Sequence, residues 1–119
     1  MNYITYENSL DILKNVSKEE KIQFFVLRIK SCPFCDDWFK NNGKELLNFI
    51  QNDFDLYVIN CDNENIPFPP PSSPTLYFYH KNFKQPFIRQ GMLPVFEMTK
   101  ELEKFIKIKN GESYESVFK

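Results

Sequence analysis

The stretch "IKSCPFCDDW" (residues 29–38) places two cysteines three positions apart, with a proline directly after the first cysteine. A nearly unbroken apolar run, "IQFFVLRI" (residues 22–29), precedes it and predicts a strand that is covered on both faces. The segment after it, residues 36–51, carries large apolar side chains at helical spacing. The cysteine pair is therefore predicted to lie where a buried strand ends and a helix begins.

The rest of the chain alternates strands and helices, then continues with an antiparallel pair of strands and a last helix. The short turn "KNFK" favours a hairpin between the last two strands, and the prolines of "DNENIPFPPPSS" predict a loop before them. This β-α-β-α-β-loop-β-β-α order predicts an α/β protein with one mixed sheet and helices on both faces. The predicted strands are residues 2–6, 22–29, 54–61, 74–80 and 85–91, and the predicted helices are residues 7–16, 36–51 and 93–110.

Two of the predicted helices are clearly amphipathic, which identifies the side chains that should face the sheet. On the first helix these are Leu10, Ile12, Leu13 and Val16, and on the last they are Val95, Phe96, Met98, Leu102, Phe105 and Ile106. The last residues, "ESYESVFK" (residues 112–119), have no clear assignment.

Length and composition indicate one globular domain over residues 1–119, with a core at about residues 2–109 and a short tail at 110–119. The net charge of -1, with acid and base interleaved, gives no electrostatic reason to expect nucleic acid or an anionic membrane as a partner. No stretch approaches the roughly 20 apolar residues of a membrane-spanning helix. The first residues do not resemble a secretory signal, so we expect a cytoplasmic protein.

The cysteine pair suits redox chemistry if it begins a helix. Pro33 fits the first helical position, which makes Cys32 the residue that caps the helix. The partial positive charge of a helix N-terminus stabilises a thiolate, so we expect a lowered pKa for Cys32. That thiolate would attack a disulfide, and Cys35, one turn further along, would resolve the mixed disulfide. In a reducing compartment such a pair is more often catalytic or metal-binding than structural.

The motif Cys-Pro-Phe-Cys (residues 32–35), followed later by "PTLYFY" from Pro74, resembles the thioredoxin superfamily. The segments "YITYENSLDILK" and "VINCDNEN" and the glycine at Gly91 extend the resemblance over residues 2–109. The resemblance implies a thioredoxin fold and thiol–disulfide exchange, with Pro33 and Phe34 as parts of the motif between the two cysteines.

The resemblance also implies a substrate-binding surface. In that family the proline that matches Pro74 is cis and packs against the two sulfurs, and the backbone of the preceding residue, here Ser73, pairs with an extended substrate segment. Recognition by main-chain hydrogen bonds tolerates many substrate sequences. The implied substrate-binding residues are Ser73, Pro74, Gly91 and Met92.

The sequence departs from the family pattern at several positions. The motif is closer to that of glutaredoxins than to Trp-Cys-Gly-Pro-Cys, yet the Gly-Gly signature with which glutaredoxins bind glutathione is missing. Val26 stands where thioredoxins have a buried aspartate, and Val58 stands where they have a lysine. In thioredoxins that aspartate and lysine help to deprotonate the resolving cysteine. Asp36 and Asp37 are the nearest alternative bases. The loop "IPFPPPSS" replaces a short helix.

Other interpretations of single residues stay open at this stage. Zinc could be bound by four ligands, Cys32, Cys35, Cys61 and His80. Against this, the sequence has no second cysteine pair, and a chain of this composition folds without metal. We therefore expect neither a metal nor an organic cofactor. Cys61 is interpreted as a buried packing residue or, alternatively, a regulatory thiol, and His80 as a surface residue. An apolar collar for protein substrates is predicted from Phe34, Phe68, Pro69, Pro70 and Met92, with Phe68 alternatively in the core; Trp38 is interpreted as a packing residue.

The predicted function is reduction or exchange of disulfides in protein substrates by a monomeric protein. The Cys32–Cys35 dithiol would be recharged by a reductase resembling thioredoxin reductase, or by glutathione. Two alternatives remain: a glutathione-dependent, glutaredoxin-like exchange, and a binding module that has kept the fold and uses the loop around Pro69–Pro71 for a partner.

Overall fold

The computed structural model describes residues 2–29, 43–63, 66–69, 74–91 and 93–118. Its strands are β1 (Asn2–Tyr3), β2 (Ile22–Arg28), β3 (Phe54–Asn60), β4 (Thr75–Tyr79) and β5 (Phe87–Gln90). Its α-helices are α1 (Tyr6–Lys14), α2 (Gly43–Ile50), α3 (Val95–Lys109) and α4 (Tyr114–Phe118), with 3-10 turns at Val16–Lys18 and Cys61–Asn63. None of these helices is long and apolar enough to cross a bilayer.

The five strands form one sheet in the order β1-β3-β2-β4-β5. The pairs of β3 with β1 and with β2 are parallel, whereas β4 is antiparallel to both β2 and β5. The mixed sheet predicted from the sequence is therefore confirmed. All seven residues of β2 are buried, as its unbroken apolar run predicts for a central strand.

Helices cover both faces of the sheet. Since alternate residues of β2 point to opposite sides, this strand contributes to a core on each face. Phe24 and Val26 belong to the core on one face, and Phe25 and Leu27 to a smaller core on the other. Helices α2 and α3 contribute buried side chains to the larger core: Leu46 and Ile50 from α2, and Met98, Leu102, Phe105 and Ile108 from α3. The smaller core includes Ile12 and Leu13 of α1 and Ile66 and Phe68 of the proline-rich loop.

The start of the chain differs from the predicted strand over residues 2–6. The Thr5 side chain accepts a hydrogen bond from the Asn8 N–H at 3.0 Å, while the Asn8 side chain accepts one from the Thr5 N–H at 3.4 Å. This capping box starts α1 at Tyr6, so β1 ends at Tyr3. A polar capping residue thus took precedence over the aromatic and β-branched pattern.

Two helical side chains that were predicted to face the sheet are exposed instead. Phe96 is 69% exposed, because it lies two residues, or about 200° around the helix, from the buried Met98. Leu10 is 41% exposed and borders an open groove beside α1. Both predictions were wrong.

The end of the chain forms the helix α4, for which the sequence had given no assignment. The hydroxyl of Ser113 accepts a hydrogen bond from the Ser116 N–H at 3.2 Å and so caps this helix. The ring of Phe118 packs 5.8 Å from that of Phe87, which itself stacks on Phe105 at 4.5 Å. The tail therefore extends the core over β5 and α3.

Candidate active-site edge

One end of the sheet brings together the residues that flank the cysteine motif and the predicted substrate-binding residues. Arg28, the last residue of β2, is the register partner of Asn60, the last residue of β3. Continuing the antiparallel registers by one residue places Pro74 opposite Arg28 and Gly91 opposite Pro74. We call this row of Asn60, Arg28, Pro74 and Gly91 the site edge.

Pro74 and Gly91 are joined directly at the site edge. The Gly91 N–H donates a hydrogen bond to the Pro74 carbonyl at 2.6 Å, which extends the β4–β5 ladder by one step. Pro74 is fully buried. Gly91 has a φ of 83°, a left-handed conformation that a residue without a Cβ adopts readily. Two of the predicted substrate-binding residues are therefore held side by side before α3 begins.

Several predicted residues lie outside the described part of the chain. These are Cys32, Pro33, Phe34, Cys35, Asp36, Asp37, Trp38, Pro70, Pro71, Ser73 and Met92. Their roles stay predictions, as does the cis peptide bond before Pro74, which begins at Ser73. In the sequence three residues separate Cys32 from Arg28, so the motif follows the site edge directly.

The two valines that replace the family's aspartate and lysine are neighbours in the structure. Val26 and Val58 are register partners on β2 and β3, and both are buried within the larger core. The β4 partner of Val26 is Leu76, which is equally buried. An apolar patch therefore lies two residues inward from the site edge, and these three positions supply no proton acceptor.

Arg28 is a buried charged residue of the site edge that the sequence motifs do not single out. Arg28 is only 6% exposed, and its Nε donates a hydrogen bond to the Ile29 carbonyl at 3.4 Å. A buried guanidinium is held by hydrogen bonds or ion pairs, since burial of an unpaired charge is unfavourable. The available signal was an arginine as the penultimate residue of the apolar run "IQFFVLRI".

An open groove lies on the α1 face of the sheet, and Phe68, one residue of the predicted apolar collar, lines it. Phe68 packs edge-on against the ring of Tyr6 at 5.7 Å and contacts the smaller core, as the core interpretation predicted. Pro69 is exposed. The groove has a volume of about 200 Å³ and is also lined by Tyr77 and Tyr79. Burial raises the pKa of Tyr79, and the neighbouring phenols of Tyr77 and Tyr6 raise it further.

Cys61 follows β3 at the site edge and is buried, as the packing interpretation predicted. His80 follows β4 at the opposite end of the sheet. The five residues of β4 alone span roughly 16 Å at about 3.3 Å per residue, whereas zinc ligands lie within about 2.3 Å of the metal. Cys61 and His80 therefore cannot share one zinc ion, and the proposed four-ligand set is wrong.

His80 is buried, and the prediction that it is a surface residue was wrong. One ring nitrogen contacts the Glu20 carbonyl at 3.1 Å, and the other accepts a hydrogen bond from the Asn82 N–H at 3.0 Å. Its ring packs against Phe83, with the centroids 5.5 Å apart. These contacts explain the burial, since a polar ring enters an interior when both nitrogens find partners.

Comparison with known proteins gives a likeness of fold. No family model matches the chain, and no curated protein matches its sequence. Chloroplastic thioredoxin z is 12% identical, and the match covers 93% of this chain and 96% of that one with a TM-score of 0.64. This chain has a thioredoxin fold. A thioredoxin from Thermus thermophilus gives the same TM-score at 16% identity, with 93% of this chain and 90% of that one covered.

At these identities the likeness concerns the thioredoxin fold alone, so the chemistry has to be argued from this chain's own residues. Ile66 and Phe68 of the proline-rich loop pack on the α1 face. The sequence predicts this loop in place of a short helix, and Phe68 of the loop lines the open groove.

Proposed function

We propose that this protein is a thiol–disulfide oxidoreductase that reduces or exchanges disulfides of protein substrates through Cys32 and Cys35. The observation that carries the proposal is the position of the Cys-x-x-Cys motif in a thioredoxin fold. The motif follows β2 directly in the chain, and Pro74 and Gly91 lie across the same end of the sheet. A reactive pair and a backbone recognition surface would thus share one edge.

In the proposed reaction, the Cys32 thiolate attacks one sulfur of the substrate disulfide. The substrate S–S bond breaks, a mixed disulfide forms, and the other substrate sulfur leaves as a thiolate that takes up a proton. Cys35, as its thiolate, then attacks the Cys32 sulfur. This step forms the Cys32–Cys35 disulfide and releases the second substrate sulfur, which is also protonated. The substrate gains two electrons, and the protein is oxidised by two.

In the proposed mechanism, the charge of Arg28 assists the first step. A fixed positive charge close to a thiol stabilises the thiolate, as a helix N-terminus does. Arg28 ends β2 and precedes Cys32 by four residues, so its charge lies at the end of the sheet from which the motif continues. The two effects act in the same direction on the pKa of Cys32.

Substrate recognition would use the backbone at the site edge. The Pro74 carbonyl accepts from the Gly91 N–H, so the backbone of Ser73, just before it, is the proposed partner of an extended substrate segment. Met92 would add an apolar contact beside Gly91. Such a surface selects an extended backbone next to a disulfide and not a particular sequence.

The oxidised protein needs an electron donor, and two classes fit the motif. One is a flavoprotein reductase of the type that serves thioredoxins, and the other is glutathione, in line with the Cys-Pro-Phe-Cys motif. The reaction needs no metal or organic cofactor on this chain, and a monomer in the cytoplasm would suffice. Turnover with thioredoxin reductase and NADPH, compared with turnover with glutathione and glutathione reductase, separates the two donors. If neither system reduces the protein, reduction of substrates is not its role.

The mechanism is tested by insulin reduction with the donor that works, or with dithiothreitol. We expect Cys32→Ser to abolish the reaction and Cys35→Ser to accumulate a mixed disulfide that mass spectrometry detects. Cys61→Ala is the matched control, because Cys61 is buried in the smaller core and should leave turnover intact. Sustained turnover by Cys32→Ser would refute the assignment of the nucleophile.

A second candidate function is favoured by the apolar pair Val26 and Val58. Without an acid–base group at these positions the resolving step is expected to be slow, so the protein could serve as a binding module that has kept the fold. The loop around Pro69–Pro71 would then contact the partner. Brisk turnover together with a reduction potential in the range of known exchangers, about -120 to -270 mV, would make this second function unnecessary.

A further inference from the structure

The end of the sheet opposite the site edge contains a buried histidine that the proposed redox reaction does not use. His80 directly follows β4 and is 6% exposed. It is also the only histidine in the chain. Its ring contacts two backbone groups that are far apart in sequence, the carbonyl of Glu20 and the N–H of Asn82.

These two contacts determine where the ring carries its proton. The Asn82 N–H can only donate, so the Nδ1 atom that it contacts at 3.0 Å must accept and carry no hydrogen. The Glu20 carbonyl can only accept, so Nε2, at 3.1 Å, must carry the hydrogen. The neutral ring is therefore fully satisfied. A second proton on Nδ1 would face the Asn82 N–H and break that hydrogen bond.

His80 and Asn82 connect four segments at this end of the molecule. The Asn82 side chain donates to the Lys109 carbonyl at 2.6 Å, at the end of α3. The Lys109 ammonium lies 3.0 Å from the Asp53 carboxylate, just before β3. The segment before β2 and the β4–β5 turn thus meet at the imidazole, and Asn82 and Lys109 join the turn to the last turn of α3 and the start of β3.

We propose that His80 is a proton-sensitive latch that, when neutral, holds the segment around Glu20 and the β4–β5 turn against this end of the sheet. A proton added to Nδ1 removes the hydrogen bond to Asn82 and places a charge in a buried position. The segment around Glu20 and the turn residues beside the imidazole are then released, while the strands and both cores, including Phe83, remain folded.

The surrounding charges favour the neutral ring. Burial lowers the pKa of His80, Lys109 and Lys81 lower it further, and the hydrogen bond to Glu20 offsets part of the effect. The Asp53 carboxylate is paired with Lys109, and the Lys21 ammonium donates to the Gln51 carbonyl. The other charged groups on these four segments are Lys18, Glu19, Glu20, Lys84, Lys107 and Asp55, and the Asp55 carboxylate accepts a hydrogen bond from the Gln23 side chain.

The sign of the pH effect follows from the lowered pKa. The open segment has an ordinary histidine with a pKa of about 6.5, so it binds a proton more readily than the closed latch does. The latch is therefore fully effective above that pH and weakens as the pH falls toward the lower pKa of the closed form. Across this interval the equilibrium constant for opening rises by up to about tenfold per pH unit.

The test uses the whole chain and needs no assignment of competing histidines. Long-range 1H–15N NMR of the single imidazole should show hydrogen on Nε2 at pH 7.5 and a titration midpoint below 6.5. Amide hydrogen exchange, corrected for its intrinsic pH dependence, should show loss of protection at Asn82 and Glu19 by tenfold or more between pH 7.5 and pH 5, with protection retained at Ile22 and in the centre of β2. Glu19 reports on the segment before β2, because its N–H donates to the Val16 carbonyl, whereas the Ile22 N–H donates to the Asp53 carbonyl at the start of the strand pair.

A substitution completes the test. His80→Asn retains an acceptor that can reach the N–H two residues along, as in an Asx turn, but it cannot titrate. We expect the variant to lose the pH dependence of protection at these amides. Hydrogen on Nδ1, a midpoint at or above 6.5, or the same pH dependence in His80→Asn would overturn the proposal. The NMR measurement decides the matter even if the variant does not fold, and it is independent of any redox activity.

Discussion

Replacing Val26 with aspartate is a sharp test of the apolar pair behind the site edge. Val26 is buried, and its partners across the sheet, Val58 and Leu76, are both apolar. A carboxyl group at this position would have no hydrogen-bonding partner on either neighbouring strand. Val26→Asp therefore places an isolated acid inside the larger core.

The size of the effect follows from the burial. Full burial raises the pKa of a carboxyl group by roughly 3 units or more, and each unit corresponds to about 1.4 kcal/mol. Ionisation should therefore destabilise Val26→Asp by about 4 kcal/mol at neutral pH, in addition to the loss from burying any polar group there. That is a large part of the roughly 5–15 kcal/mol by which domains are stable.

The pH dependence distinguishes this effect from a simple packing defect. The raised pKa means that the folded state keeps a proton which the unfolded state releases above about pH 3.9. Stability should then fall as the pH rises from there to the raised pKa, at up to about 1.4 kcal/mol per pH unit. Val26→Asn is the matched control, since the amide has the same shape and does not titrate.

Urea unfolding followed by circular dichroism between pH 4.5 and pH 7.5 measures the difference between the two variants. We expect Val26→Asp to approach Val26→Asn at low pH and to become much less stable as the pH rises. Adding Val58→Lys should recover at least about 2 kcal/mol at pH 7.5, because the charge then has a partner. A difference between Val26→Asp and Val26→Asn that does not change with pH would refute the apolar environment inferred for this pair.

Three further changes test other parts of the structure. Arg28→Gln should raise the pKa of Cys32 and slow its alkylation near pH 6.5, whereas Arg28→Lys should behave like the native protein; equal rates in all three would contradict a role for the buried charge. Gly91→Ala should lower stability in urea by about 1–2 kcal/mol, since its φ of 83° is unfavourable for a residue with a Cβ. Phe105→Ala should cost about 3–5 kcal/mol, while the exposed Phe96→Ala should change stability by less than about 0.5 kcal/mol; similar losses would mean that α3 is rotated.

Much of the fold was predictable because local patterns and the tertiary structure agree. The apolar run of β2 predicts a central strand, and it pairs on both sides with strands that were also predicted. The features that were missed depend on distant contacts. His80 is buried because of a carbonyl 60 residues earlier, and α4 is held by the rings of Phe87 and Phe105.

The candidate site was predictable to the extent that its residues mark the ends of strands. Pro74 and Gly91 carry turn and strand-end signals, and the structure places them side by side. Arg28 carried no motif, since only the sheet register shows that it lies at the same edge. A sequence pattern can predict where a strand ends, but which strand ends lie next to one another depends on the strand order in the sheet.

The proposed redox site and the proposed His80 latch lie at opposite ends of β4. The strand begins at Thr75, after Pro74 at the site edge, and ends at Tyr79, just before His80; its five residues span roughly 16 Å at about 3.3 Å per residue. At that distance a unit charge acts on another by only about 1 kcal/mol at an effective dielectric constant of 20, and the closed imidazole is neutral above about pH 6.5 because burial lowers its pKa. We therefore expect His80→Asn to leave the pH profile of Cys32 alkylation unchanged wherever both proteins are folded. If the profile moves with the substitution, the two ends are coupled through the sheet, and His80 positions the dithiol as well as the turn.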